Sequence, residues 1–128
     1  MVLHKQFQDF VLFLYAHMAM CDGSMHENEE LVILDKMGKI FPTEPDPKKK
    51  LASAIAEYKS VDPALVNTIV RDSFRHFTEI KFAQKYKIYT DMYDVVNADG
   101  RVEESERKAL NSLRDIIDMD SDIRHEGH

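Results

Sequence analysis

Asp22-Gly23-Ser24-Met25-His26-Glu27-Asn28-Glu29 is matched later in the chain by Asp99-Gly100-Arg101-Val102-Glu103-Glu104-Ser105-Glu106. Both stretches open with Asp-Gly, carry an apolar residue at plus three, and place Glu at plus five and plus seven. Each falls between two segments of helical apolar spacing. Glycine takes the left-handed conformation that ends many helices, and acids in the next first turn face the positive end of a helix dipole. The chain therefore reads as an internal duplication built on two acidic helix-turn-helix corners.

The flanking segments extend this pattern. Leu3, Phe7, Phe10, Val11, Leu14 and Met18 follow i, i+3/i+4 spacing, which predicts a first helix over 2–21. Ser24 and Glu27 have capping-box spacing, followed by a second helix through Leu31, Leu34 and Met37 to about residue 39. Pro42, Pro45 and Pro47 predict a loop. Lys48 opens a third helix through Tyr58, with Leu51 and Ile55 inward. Asp62-Pro63 is a helix-start pair, and the fourth helix carries Leu65, Val66, Ile69, Val70, Phe74 and Phe77. Thr78 is expected to cap a fifth helix whose core stripe is Phe82, Tyr86, Tyr89, Tyr93 and Val96. A sixth carries Leu110, Leu113, Ile116 and Ile117, and the residues after Met119 are expected to form a short stub. No segment alternates with period two. The expected fold is all-α, a single compact bundle of about six to seven helices with an internal pseudo-twofold repeat. The domain spans residues 1–125, and Glu126-Gly127-His128 resembles the remnant of an expression tag.

Composition narrows the function. At 128 residues the chain is long enough for one domain with a real core. Asp and Glu outnumber Lys and Arg 23 to 17, and a net charge of -6 repels phosphate backbones, so no nucleic acid is expected as a partner. Gln6, Gln8 and Asp9 interrupt the N-terminal apolar spacing, which argues against a signal peptide and against membrane insertion. Cys21 is the single cysteine and cannot form an internal disulfide, which suits a reducing cytoplasm.

Hard divalent cations such as Ca²⁺ or Mg²⁺ gather several carboxylate oxygens. Asp22 with Glu29, and Asp99 with Glu106, are the expected metal ligands, with Glu27, Glu104 and Asp94 as supplementary oxygens. The spacing matches the second half of an EF-hand loop, with Gly at position six and Glu at position twelve. The first half is missing, because Met18 or Val95 stands at position one and Met20 or Asn97 at position three. The incomplete set predicts weak binding, on the order of 10⁻⁴ to 10⁻³ M. The plainer alternative makes each corner a turn followed by dipole-favouring acids. His17 and Cys21 share a helix face beside Asp22, but no orienting group, oxyanion hole or phosphate loop accompanies them, so no enzyme is expected. Zinc held by His17, Cys21 and His26 fits no closed-site spacing.

The stretches Ala16-His17-Met18-Ala19-Met20-Cys21-Asp22-Gly23 through Glu29, and Asp94-Val95-Val96-Asn97-Ala98-Asp99-Gly100 through Glu106, resemble the tellurite-resistance TerB-like family. Its hallmark is a helix running into Asp-Gly, then an apolar residue and a Glu, twice in one helical domain. The resemblance covers about residues 5–120. It implies a helical bundle with acidic sites for divalent metal at Asp22, Glu29, Asp99 and Glu106. It also implies a non-enzymatic binding or scaffold role in tellurite and other stress responses. Related domains occur in a membrane-anchored J-domain co-chaperone, so the other reading is a metal-independent acidic module that docks an unknown protein partner. Met20 and Cys21 depart from the family, which usually has small residues there.

Overall fold

The run Phe10-Val11-Leu12-Phe13-Leu14-Tyr15-Ala16 has no polar side to turn outward, and all seven residues are buried. A helix that is apolar all round has to be enclosed. In the computed structural model, which describes residues 1–98 and 100–126 and side chains as far as Asp118, this helix is the hub. The first helix, α1 (Phe7–Met20), packs against α2 (Glu27–Ile40), α3 (Pro47–Ser60), α5 (Phe82–Val96) and α6 (Glu104–Glu126). The fourth, α4 (Val66–His76), lies on α6 and reaches the hub through Phe74, edge-on to Phe10 with ring centroids 5.2 Å apart. Among the described residues there are six α-helices, one 3₁₀ turn (Pro63–Leu65) and no strand. No helix there is long and apolar enough to cross a membrane.

The helix ends differ from the sequence expectation in ways the hydrogen bonds explain. The first helix begins at Phe7, not near residue 2, because Gln6 is extended (φ -114°, ψ 143°). The strand-like lead-in buries His4 against Phe13 and places its Nε2 2.6 Å from Glu57 Oε1, while Leu3 stays exposed. The cap of α2 is His26 with Glu29, two residues beyond the Ser24–Glu27 pair. Asp46 caps α3 by accepting from the Lys49 N–H, so Pro47 belongs to the helix and not to the loop. Asp62-Pro63 does start a helical segment, but its first turn is 3₁₀, with Asp62 Oδ1 accepting from the Ala64 N–H. Lys81, with Gln84, opens α5 in place of Thr78. No separate stub follows Met119, since α6 continues to Glu126; Gly127 and His128, of the expected tag remnant, lie outside the described residues.

The largest correction concerns the aromatic stripe of α5. Phe82 and Tyr93 are 45% and 51% exposed, while Tyr86 and Tyr89 are half-buried. The buried stripe is Lys85, Ile88, Met92, Val95 and Val96. A lysine fits there because its methylene stem is apolar, and its ammonium lies 5.7 Å from the Phe74 ring centroid. The aromatic residues sit on the rim beside it, where Tyr86 donates to Asp118 of α6. The expected contact between the first and fifth helices is present.

These burials predict opposite outcomes for two aromatic truncations. Phe74→Ala should cost about 3–5 kcal/mol, whereas Tyr93→Ala should stay within about 0.5 kcal/mol of the parent. Urea unfolding followed by circular dichroism measures both, and equal losses would restore the aromatic stripe to the core.

Candidate functional site

The two corners are built alike down to single hydrogen bonds. Gly23 and Gly100 adopt φ of 104° and 78°, the left-handed region that favours glycine. Their N–H groups return to Met20 O at 2.9 Å and Asn97 O at 3.0 Å. Met25 and Val102, the apolar residues at plus three, pack against the core. Glu29 Oε1 then accepts from the His26 N–H at 2.9 Å, and Glu106 Oε1 accepts from the Glu103 N–H at 3.0 Å. One oxygen of each plus-seven glutamate thus satisfies an otherwise orphaned N–H at a helix start.

The second oxygens are anomalous. Glu29 and Glu106 are 0% and 2% exposed, and Oε2 of each is buried without a hydrogen-bond donor. Buried polar atoms are nearly always paired. The corners converge so that these two carboxyl groups lie within hydrogen-bonding reach of each other. As two carboxylates neither has a hydrogen to give; with one proton between them they form an acid–carboxylate pair. Burial first, then the hydrogen bond and charge of Glu106, raise the Glu29 carboxyl to about 8, against the downward pull of the His26 N–H and ring.

The remaining expected ligands are distributed differently. Asp22 is at the mouth of the site, where Oδ1 accepts from the Ser24 N–H and Oδ2 lies 3.3 Å from His26 Nε2. Glu27 and Glu104 are exposed. Asp94 is drawn elsewhere: with Asp91 it holds Lys36 Nζ of α2, both at 3.0 Å. Asn97, at position three of the half-loop, donates its amide N–H back to Tyr93 O at 2.9 Å. Asp99 lies outside the described residues. The association shown is therefore Glu29 with Glu106 across the corners. One signal for it was present in the sequence. Met25, Glu29, Ile33 and Met37 are spaced by four, as are Val102, Glu106 and Leu110, so each glutamate occupies an apolar stripe.

Asp22, His26, Glu103 and Glu104 line a cleft of about 730 Å³ between the corners, with Cys21 in its wall. Burial, then Glu106, Asp22 and Glu29, push the Cys21 thiol up to about 12, the reverse of an activated nucleophile. His17 does not assist it, since its Nδ1 faces Tyr58 Oη at 2.9 Å and burial lowers its pKa to about 4. Among the described residues, no three His, Cys, Asp or Glu side chains already close around a point that an ion would occupy.

The carboxyl pair makes stability depend on pH in a defined direction. The raised Glu29 carboxyl keeps a proton that the unfolded chain releases, so its contribution is complete below about 4.5 and lost as pH rises through about 8. In chelator, the parent protein should lose stability across that window. Glu29→Gln keeps the cap acceptor and supplies a donor to Glu106. It should flatten the profile and, above pH 8, exceed the parent by roughly 1–3 kcal/mol. Denaturant titrations at several pH values check this, and a parallel profile for the variant would refute the shared proton.

Comparison with curated proteins and with solved structures finds no significant match. The family model described as "Tellurite resistance protein TerB" matches residues 8–126, which take in both corners, the glutamate pair and all six α-helices apart from Phe7, the first residue of α1. The chain belongs to the TerB family.

Proposed function

We propose that this protein is a non-enzymatic module that binds a divalent cation, Ca²⁺ or Mg²⁺, at the meeting point of the two corners. The supporting observation is the pair of buried, donorless oxygens, Glu29 Oε2 and Glu106 Oε2, held together by duplicated backbone turns. Two adjacent carboxylates call for a cation as counterpart, and their hard oxygens are the donor type that Ca²⁺ and Mg²⁺ take. Glu29 and Glu106 would be shared ligands. Asp22 would serve from the mouth, Asp99 is expected as a ligand from its place in the sequence, and the exposed Glu27 and Glu104 would help draw the ion in. Asp94, tied to Lys36, has no part in this reading. The bound ion would supply positive charge in place of the shared proton.

Membership of the TerB family supports a binding or scaffold role in tellurite and other stress responses, and the sole cysteine suits the cytoplasm. No catalytic role is assigned, because the thiol is raised and its neighbour His17 is turned to Tyr58. A second reading is favoured by the exposure of Glu103 and Glu104, which line the cleft, and of Glu27, next in sequence to the cleft residue His26. They form an acidic rim suited to a basic partner protein without metal.

Calorimetric titration separates the readings. Ca²⁺ or Mg²⁺ should bind the parent with a Kd on the order of 10⁻⁴ to 10⁻³ M and raise its melting temperature by binding the native state. Glu29→Gln and Glu106→Gln should each abolish the whole signal, because the two glutamates serve one ion. Loss of half the sites per variant would instead indicate one cation per corner. A parent that binds no cation at millimolar concentration, and whose partner binding withstands chelator but not reversal of Glu104, would establish the metal-free module.

A further inference from the structure

We propose that two copies of this chain pair through α5, antiparallel about a twofold axis, along the aromatic stripe left outside the core. This pairing is independent of the cation site. Phe82, Tyr86, Tyr89 and Tyr93 are spaced by four, three and four, the spacing of a coiled-coil seam, which a second helix of like spacing fills. At about 3.6 residues per turn they share with Ala83 and Thr90 a sector of α5 roughly 120° wide, and none of the six carries a charge. Phe82, Ala83, Thr90 and Tyr93 are exposed. Phe82 stands edge-on to Tyr86 with ring centroids 4.9 Å apart, and Tyr86 edge-on to Tyr89 at 6.3 Å, so three of the four rings form one continuous surface. Aromatic rings of this kind are enriched at protein interfaces.

The charges at the edge of this sector select the occupant. Lys87 and Asp94, seven residues apart, stand side by side on its outer border. Parallel copies would set Lys87 against Lys87 and Asp94 against Asp94. Antiparallel copies set Lys87 of each against Asp94 of the other, twice about the axis, with Tyr89 of each against Tyr93 of the other. Within one molecule Lys87 Nζ reaches the Asp91 carboxylate at 3.4 Å, and Asp94 holds Lys36 Nζ through Oδ2 at 3.0 Å, which leaves Asp94 Oδ1 to accept. Thr90 falls beside the axis, its hydroxyl donating to Lys87 O at 2.8 Å, and is small enough for the helices to approach. With a net charge of -6 the copies repel, and an uncharged sector bordered by both signs is a place where they can meet. One helix face a side is a small contact, so the association is weak and the chain is monomeric at the dilution used for circular dichroism.

Sedimentation equilibrium of the full chain, in chelator so that no ion bridges the copies, tests this. From micromolar to millimolar protein the average mass should climb from 14.9 kDa towards twice that value. Tyr93→Glu should keep the helical circular dichroism and weaken self-association by about tenfold or more. Lys87→Glu and Asp94→Lys should each weaken it as well, and the double variant should recover it, because reversing both charges restores each cross-pair. A mass that stays at 14.9 kDa at millimolar protein would overturn the proposal and leave the stripe to a different partner. A dimer indifferent to Tyr93→Glu would overturn it in favour of another face, and a double variant no tighter than the single ones would overturn the antiparallel pairing.

Discussion

Everything in this fold answers to the burial of α1 on all sides. Seven consecutive buried residues, Phe10 to Ala16, leave it no solvent face. Four other helices pack directly on it, and α4 closes the remaining gap with an aromatic contact. The covering helices can then be amphipathic and individually unremarkable. Because α5 packs beside the hub and each of the two is followed by a glycine turn, at Gly23 and Gly100, the corners that follow them meet. The acidic site is thus a by-product of enclosing one apolar rod.

At that meeting point two requirements compete for the same side chains. Each helix start needs an acceptor for an exposed N–H, and Glu29 and Glu106 meet that need with Oε1. Their position in the apolar stripe buries the rest of the carboxyl, and Oε2 has nothing to accept from. A half-satisfied buried polar group is costlier than either an exposed acid or an apolar residue. A buried acid as strongly perturbed as Glu29 is a common mark of a functional site. A cap alone does not account for the site, since Oε1 provides the cap and Oε2 takes no part in it.

Long-range features of the fold were readable where the chemistry of the sequence is repetitive. The six helices, the loop before α3 and the duplicated corners follow from apolar spacing and from glycine and proline. Helix starts were less legible because several residues compete to cap. Ser24 and Thr78 have the better side chains on propensity, yet His26 and Lys81 hold the positions, where Glu29 and Gln84 reach back to their N–H groups. The α5 stripe was misplaced because aromatic rings at regular spacing outweigh a lysine in any hydropathy count, although Lys85 is the buried residue. For the site, acids were paired with neighbours in the chain. The pairing across the corners depends on how α1 and α5 pack, which local spacing does not encode.

Glu29 and Glu106 are far apart in the chain and act on each other only when the last helix has docked. Closing so long a loop is entropically costly and comes late where local contacts form first. An intermediate with α1, α2 and α3 assembled would expose a single acid at a capped helix start, with nothing to repel and nothing to chelate. The complete pocket is therefore a marker of finished assembly. An ion that prefers the paired acids would stabilise the finished molecule over its partly built forms, acting as a latch on the final step.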